Sequence, residues 1–89
     1  MTTIYKFKLQ PGRTVLDLPL EARPLTVQMQ HGDPCLWVLL NPAQPTVRRF
    51  FDVYGTGHGM PAIPGNYVAT FQMDGGALVW HVFEANPQL

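Results

Sequence analysis

Apolar and polar residues alternate with a period of two over most of this chain, and proline or glycine interrupts the alternation at short intervals. A period of two sends successive side chains to opposite faces of an extended strand, so the pattern predicts strands and leaves no room for a long helix. The pattern is clearest near the C-terminus, where two alternating runs flank Asp74-Gly75-Gly76-Ala77. Gly75-Gly76 can take positive φ at both turn positions and form the two-residue turn that suits right-twisted strands. With that turn Asp74 faces Ala77, and counting back pairs Met73 with Leu78, Phe71 with Trp80 and Ala69 with Val82 on an apolar face. Gln72 with Val79, Thr70 with His81 and Val68 with Phe83 fall on a mixed second face. Register and burial agree, as a hairpin with one dry face requires.

Upstream, residues 4–9 alternate with Tyr5, Phe7 and Leu9 on one face, and Pro11-Gly12 is a turn signal. A two-residue loop there predicts a first hairpin with Phe7 opposite Leu16 and Tyr5 opposite Leu18. Residues 19–24 hold two prolines and read as a connection between sheets. Residues 25–30 place Leu25, Val27 and Met29 inward, and His31-Gly32-Asp33-Pro34 turns the chain. Residues 35–40 are apolar without alternation, the mark of a strand covered on both faces. Residues 46–54 resume with Val47, Phe51 and Val53 on one side, interrupted by Arg49, and Arg48, Phe50, Asp52 and Tyr54 on the other. The expected fold is a single all-β domain over residues 1–89, an antiparallel sandwich or partly open barrel of about seven short strands, with a meander as the simplest topology. The last residues, 86–89, are expected to fray.

Composition narrows the function more than it names one. Hydrophobic residues make up 46% of the chain and charged residues 13%, too few charges to cover so small a body, which predicts an apolar patch buried against another copy or a partner. Six basic residues balance six acidic ones, so no phosphate-neutralising surface for nucleic acid is expected. The longest apolar run is far shorter than the roughly 18 residues of a membrane helix, and the N-terminus lacks the apolar core of a secretion signal. No membrane partner is expected, and the cytoplasm is the expected location.

Candidate chemistry concentrates in residues 55–65. Gly55-Thr56-Gly57-His58-Gly59 exposes backbone N–H groups that can cradle an anion. It fails as a phosphate loop, because Met60-Pro61 stands where Lys and Ser or Thr are needed, and as a dinucleotide fingerprint, because position 60 is not glycine. The bland account is a tight turn or a close backbone approach. The functional one is a ligand pocket of Tyr54, Gly55, Thr56, Gly57, His58 and His81, which needs the loop to fold over the face that carries His81. His31, His58 and His81 show neither a helical pair nor a short cysteine spacing, so no metal set or cofactor is expected. Cys35, beside Leu36-Trp37, reads as a packing thiol. The carboxylates Asp17, Glu21, Asp33, Asp52, Asp74 and Glu84 form no close acid and base pair. No catalytic residue emerges. Arg49 on an apolar face needs Asp52, Glu84, a water or a subunit interface, and the candidate interface set is Arg48, Arg49, Phe50, Tyr54, Val68, Val79, His81 and Phe83.

The short motifs Pro34-Cys35-Leu36-Trp37, Tyr54-Gly55-Thr56-Gly57-His58, Thr70-Phe71-Gln72 and Val79-Trp80-His81-Val82-Phe83-Glu84, with the opening Thr3-Ile4-Tyr5-Lys6, run in a familiar order. In these the chain resembles a family of small uncharacterised proteins encoded in bacteriophages, prophages and some bacterial genomes, over nearly its full length. The resemblance implies a setting, an infected or lysogenic bacterium, and brings no catalytic residues. The expectation is a non-enzymatic phage accessory or assembly protein that forms homo-oligomers and meets a phage or host protein, in the host cytoplasm or on the virion. The alternative is a small-ligand or metal-binding β domain that uses the loop over 55–65.

Overall fold

The computed structural model describes residues 1–86, and the chain passes through β1 (Thr3–Lys8), β2 (Arg13–Pro19), β3 (Arg23–Gln30), β4 (Asp33–Leu40), β5 (Thr46–Gly55), β6 (Asn66–Met73) and β7 (Leu78–Ala85). A single 3-10 turn, Asp74–Gly76, joins the last two strands; among the described residues no α-helix occurs. The strands form two antiparallel sheets, β1-β4-β3 and β2-β5-β7-β6, the sandwich-like architecture that the alternation predicts.

The apolar run of β4 explains the first sheet. The run requires a central position, and β4 lies between β1 and β3 with Leu36, Val38 and Leu40 buried inward; on its outer side Cys35 is buried but Trp37 and Leu39 are only partly covered, so the expected cover on both faces is complete on the inner one alone. This requirement overrides the expected first hairpin. Phe7 pairs with Leu36 and Tyr5 with Val38, while Leu16 pairs with Arg49 and Leu18 with Val47, so β1 and β2 belong to different sheets. The expected meander fails for the same reason. Residues 9–12 cross between the sheets, tied down where Leu9 N–H donates to the Pro34 carbonyl at 2.9 Å and Val53 N–H to the Gly12 carbonyl at 2.9 Å. The Thr14 hydroxyl accepts from Gln10 N–H at 2.8 Å and turns the chain into β2.

The C-terminal hairpin takes the predicted register: Met73 opposite Leu78, Phe71 opposite Trp80, Thr70 opposite His81 and Ala69 opposite Val82. Gly75 and Gly76 have φ of 64° and 97°, and Ala77 N–H donates to the Asp74 carbonyl at 3.2 Å. Two bulges correct the remaining alternation. In β3 the register jumps between Pro24 and Thr26, at a proline that offers the ladder no donor, and Leu25 turns outward at 41% exposure while Val27 stays buried. In β6 the jump lies between Tyr67 and Ala69, so Tyr67, not Val68, sits opposite Phe83.

The core joins Leu18, Val27, Leu36, Val38, Leu40, Phe51, Ala69, Phe71 and Val82 from both inner faces. Its two ends differ. At one, Arg49 and Glu84 bridge over Phe51 and reach the Ala22 carbonyl; at the other, the inner-face residues Val53, Met73 and Trp80 remain partly exposed. The expected fraying of 86–89 falls largely outside the described residues; Asn86 is exposed coil.

Candidate functional site

Alternation along β2, β5, β7 and β6 brings Val15, Phe50, Tyr54, Val79, His81, Phe83 and Tyr67 to one outer face. The rings of Tyr54 and Tyr67 both meet Phe83 edge-on, with centroids 6.1 and 5.6 Å away, and the Arg13 guanidinium lies 5.1 Å above Phe50. Arg13 also makes a two-pronged contact with Asp52, Nε to Oδ1 at 2.7 Å and Nη2 to Oδ2 at 2.9 Å. That hydrogen bond and charge raise the Arg13 pKa. Burial pushes the Tyr54 hydroxyl above the usual tyrosine value, and the negative charge of Asp52 pushes the same way.

A polar chain crosses the same face. Tyr67 Oη stands 2.7 Å from Thr70 Oγ1, which stands 3.1 Å from His81 Nδ1; His81 Nε2 stands 2.7 Å from Thr56 Oγ1, which donates to the Val79 carbonyl at 3.3 Å. One neutral tautomer, with the proton on Nε2, satisfies every step from Tyr67 to Val79. His81 is thus a bonded crosslink between β6 and the start of the glycine loop.

Two members of the candidate interface set leave this face. Val68, as the extra residue of the β6 bulge, packs against the core. Arg49 lies on the inner face, where Nη2 donates to Glu84 Oε1 at 2.7 Å and Nη1 to the Ala22 carbonyl at 2.6 Å. Its need for a partner is met within the chain, so it no longer argues for association. Arg48 stays on the outer face and pairs loosely with Asp17 at 3.4 Å.

The loop folds back over the opposite side of the sheet. His58 N–H donates to the Gly55 carbonyl at 3.0 Å, and the His58 ring meets Trp80 edge-on with centroids 5.8 Å apart. Gly55 makes this possible, since a Cβ there would stand 2.6 Å from the His58 ring and 3.0 Å from Trp80 Cζ3. Trp80 and His81 are adjacent in β7 and point to opposite faces. His58 and His81 therefore do not converge. Gly55, Thr56, His58, Val79 and Trp80 line a hollow of about 290 Å³ that excludes His81, while Gly57 is exposed at the loop tip. Among the described residues no cluster of His, Cys, Asp or Glu is placed to hold a metal ion. Nor is any helix among them long and apolar enough to cross a membrane.

A larger cleft of about 510 Å³ occupies the unsealed end of the sandwich, walled by Leu9, Pro34, Val53, Phe71, Met73 and Trp80. The Nε1 of Trp80 is buried and has no hydrogen-bond partner.

A family model described as a domain of unknown function, DUF7352, matches residues 1–89. The chain belongs to the DUF7352 family. No curated protein and no solved structure matches it. The cleft of this DUF7352 domain escaped the sequence because its walls come from 9–11, 32–34 and three strands of the other sheet, which only the crossover brings together. Tyr67 as a partner in the His81 chain was equally hidden, since the bulge at Val68 decides where Tyr67 points, whereas Thr56, grouped with His81 in the candidate pocket, does stand beside it.

Proposed function

We propose that this DUF7352 domain is a non-enzymatic accessory or assembly protein of a phage or prophage, acting in the host cytoplasm or on the virion by association with itself and with a phage or host protein. The supporting observation is the aromatic outer face of the β2-β5-β7-β6 sheet, where Phe50, Tyr54, Tyr67 and Phe83 gather with Val15 and Val79. Tyr67 is 60% exposed and Val15 48%. Aromatic residues and arginine concentrate at the energetic centres of protein interfaces. The molecule measures 40 × 33 × 15 Å, so its sheet faces are its broadest surfaces and have room for an interface of roughly 800 Å² per partner. The phage setting rests on the order of short motifs along the chain.

The alternative, a ligand or metal held by the loop over 55–65 with His58 and His81, has less support because the two rings lie on opposite faces. Sedimentation equilibrium at micromolar concentration tests the proposal. A dimer or higher oligomer is expected; a strict monomer that also captures no partner from the host is the result against it.

A further inference from the structure

We propose that the unsealed end of the sandwich binds a small, neutral, largely apolar molecule that carries a carbonyl-type hydrogen-bond acceptor, with the Trp80 indole N–H as its donor. The site is separate from the outer face proposed for association. Its walls are Leu9 from the crossover, Pro34 from β4 and Val53, Phe71, Met73 and Trp80 from the other sheet, and its volume of about 510 Å³ lies in the range of pockets that enclose small ligands, roughly 300 to 1,000 Å³. Val53, Met73 and Trp80 are inner-face residues packed against the core yet left partly exposed at this end of the sandwich. An apolar occupant would complete that packing.

The indole supplies the polar requirement. Buried tryptophan N–H groups nearly always find an acceptor, and Trp80 Nε1 has none. The Trp80 Cζ3 edge faces Gly55 and His58, and Cζ3 lies para to the ring carbon that bears Nε1. The N–H therefore lies on the side of the ring away from the 55–58 loop. Phe71 and Met73, on the neighbouring strand β6, wall the cleft. Met73 is unbranched and flexible, so it can shift to admit an acceptor. The charged pair at the mouth, Lys8 Nζ and Asp33 Oδ2, is exposed and 3.5 Å apart; its charges cancel, and the walls within are apolar. A neutral ligand fits that arrangement. The occupant is a small molecule rather than a protein segment, because the cleft is a concave slot between two sheets, bounded by the chain at 8–12 and 32–34.

Nuclear magnetic resonance of the ¹⁵N-labelled protein tests the proposal, with 1-tetralone and tetralin as probes of one carbon skeleton with and without a carbonyl. The chain has two tryptophans, and Trp37→Phe assigns their indole N–H signals. Titration with 1-tetralone is expected to move the Trp80 signal downfield and leave Trp37 in place. Trp80→Phe is expected to weaken 1-tetralone roughly three- to tenfold more than tetralin, the size of one net hydrogen bond. Val53→Phe, which fills the cleft, should abolish the response to both. The proposal is overturned if the Trp80 signal stays still up to the solubility limit of the probes, if the two probes shift it equally, or if Val53→Phe leaves the response intact. None of these results bears on self-association, which is read separately by sedimentation.

Discussion

Arg49 on β5 and Glu84 on β7 join diagonally over Phe51, which stands opposite Glu84, and the third guanidinium nitrogen of Arg49 holds the Ala22 carbonyl. Both side chains are less than one-fifth exposed. A charge so placed is tolerated only when it is paired and hydrogen-bonded, and here the chain itself supplies an acceptor to each of the three guanidinium nitrogens. The pair therefore closes one end of the sandwich, while the opposite end, without such a bridge, retains the cleft beside Trp80.

Removing one partner should cost more than removing both. Glu84→Leu leaves the largely buried Arg49 guanidinium without its carboxylate and is expected to destabilise the fold by about 2 to 3 kcal/mol, whereas adding Arg49→Met recovers most of that loss. Urea denaturation of the unaltered protein, Arg49→Met, Glu84→Leu and the double variant measures the coupling; a double variant no more stable than Glu84→Leu would contradict it.

Glycine is required at position 65 for a reason of space as well as conformation. With φ of 97°, a Cβ there would stand within bonding range of the Glu84 backbone. Gly65→Ala should cost at least about 2 kcal/mol, while Gly57→Ala, at φ of 83° but with open space around it, should cost about 1 kcal/mol. Thermal melts of the two variants should rank in that order.

The raised pKa of Tyr54 has a definite sign in stability. Because the folded protein holds the Tyr54 proton more tightly than the unfolded chain, its contribution is complete below the ordinary tyrosine value of 10.0 and is lost as pH rises through the higher folded value. Stability should fall above about pH 10, and Tyr54→Phe should flatten part of that fall. Phenolate absorbance of the native protein, compared with that of Tyr54→Phe, should show the Tyr54 component titrating above the ordinary tyrosine value.

Tyr67 offers a test of the outer face that spares the core, since its ring is exposed. Tyr67→Asp should weaken self-association at least tenfold, about 1.4 kcal/mol, and move the melting temperature of the dissociated protein by only a few degrees. Sedimentation and melting curves on the same preparation separate the two effects.

Local pattern was enough to determine the strands, the C-terminal register and the central place of β4, because alternation, turn glycines and an unbroken apolar run each act over a few neighbouring residues. It also placed Thr70 opposite His81 and showed that Arg49 needed an acceptor. Strand partnership was another matter. Whether Phe7 would meet Leu16 or Leu36 depended on how β4 filled both of its edges, a competition between segments far apart in sequence. The bulges at Leu25 and Val68 shifted side chains by one position, which reverses the face they occupy. The separation of His58 from His81, the closure by Arg49 and Glu84, and the cleft beneath Trp80 arise where two sheets meet, and no single stretch of chain contains that meeting.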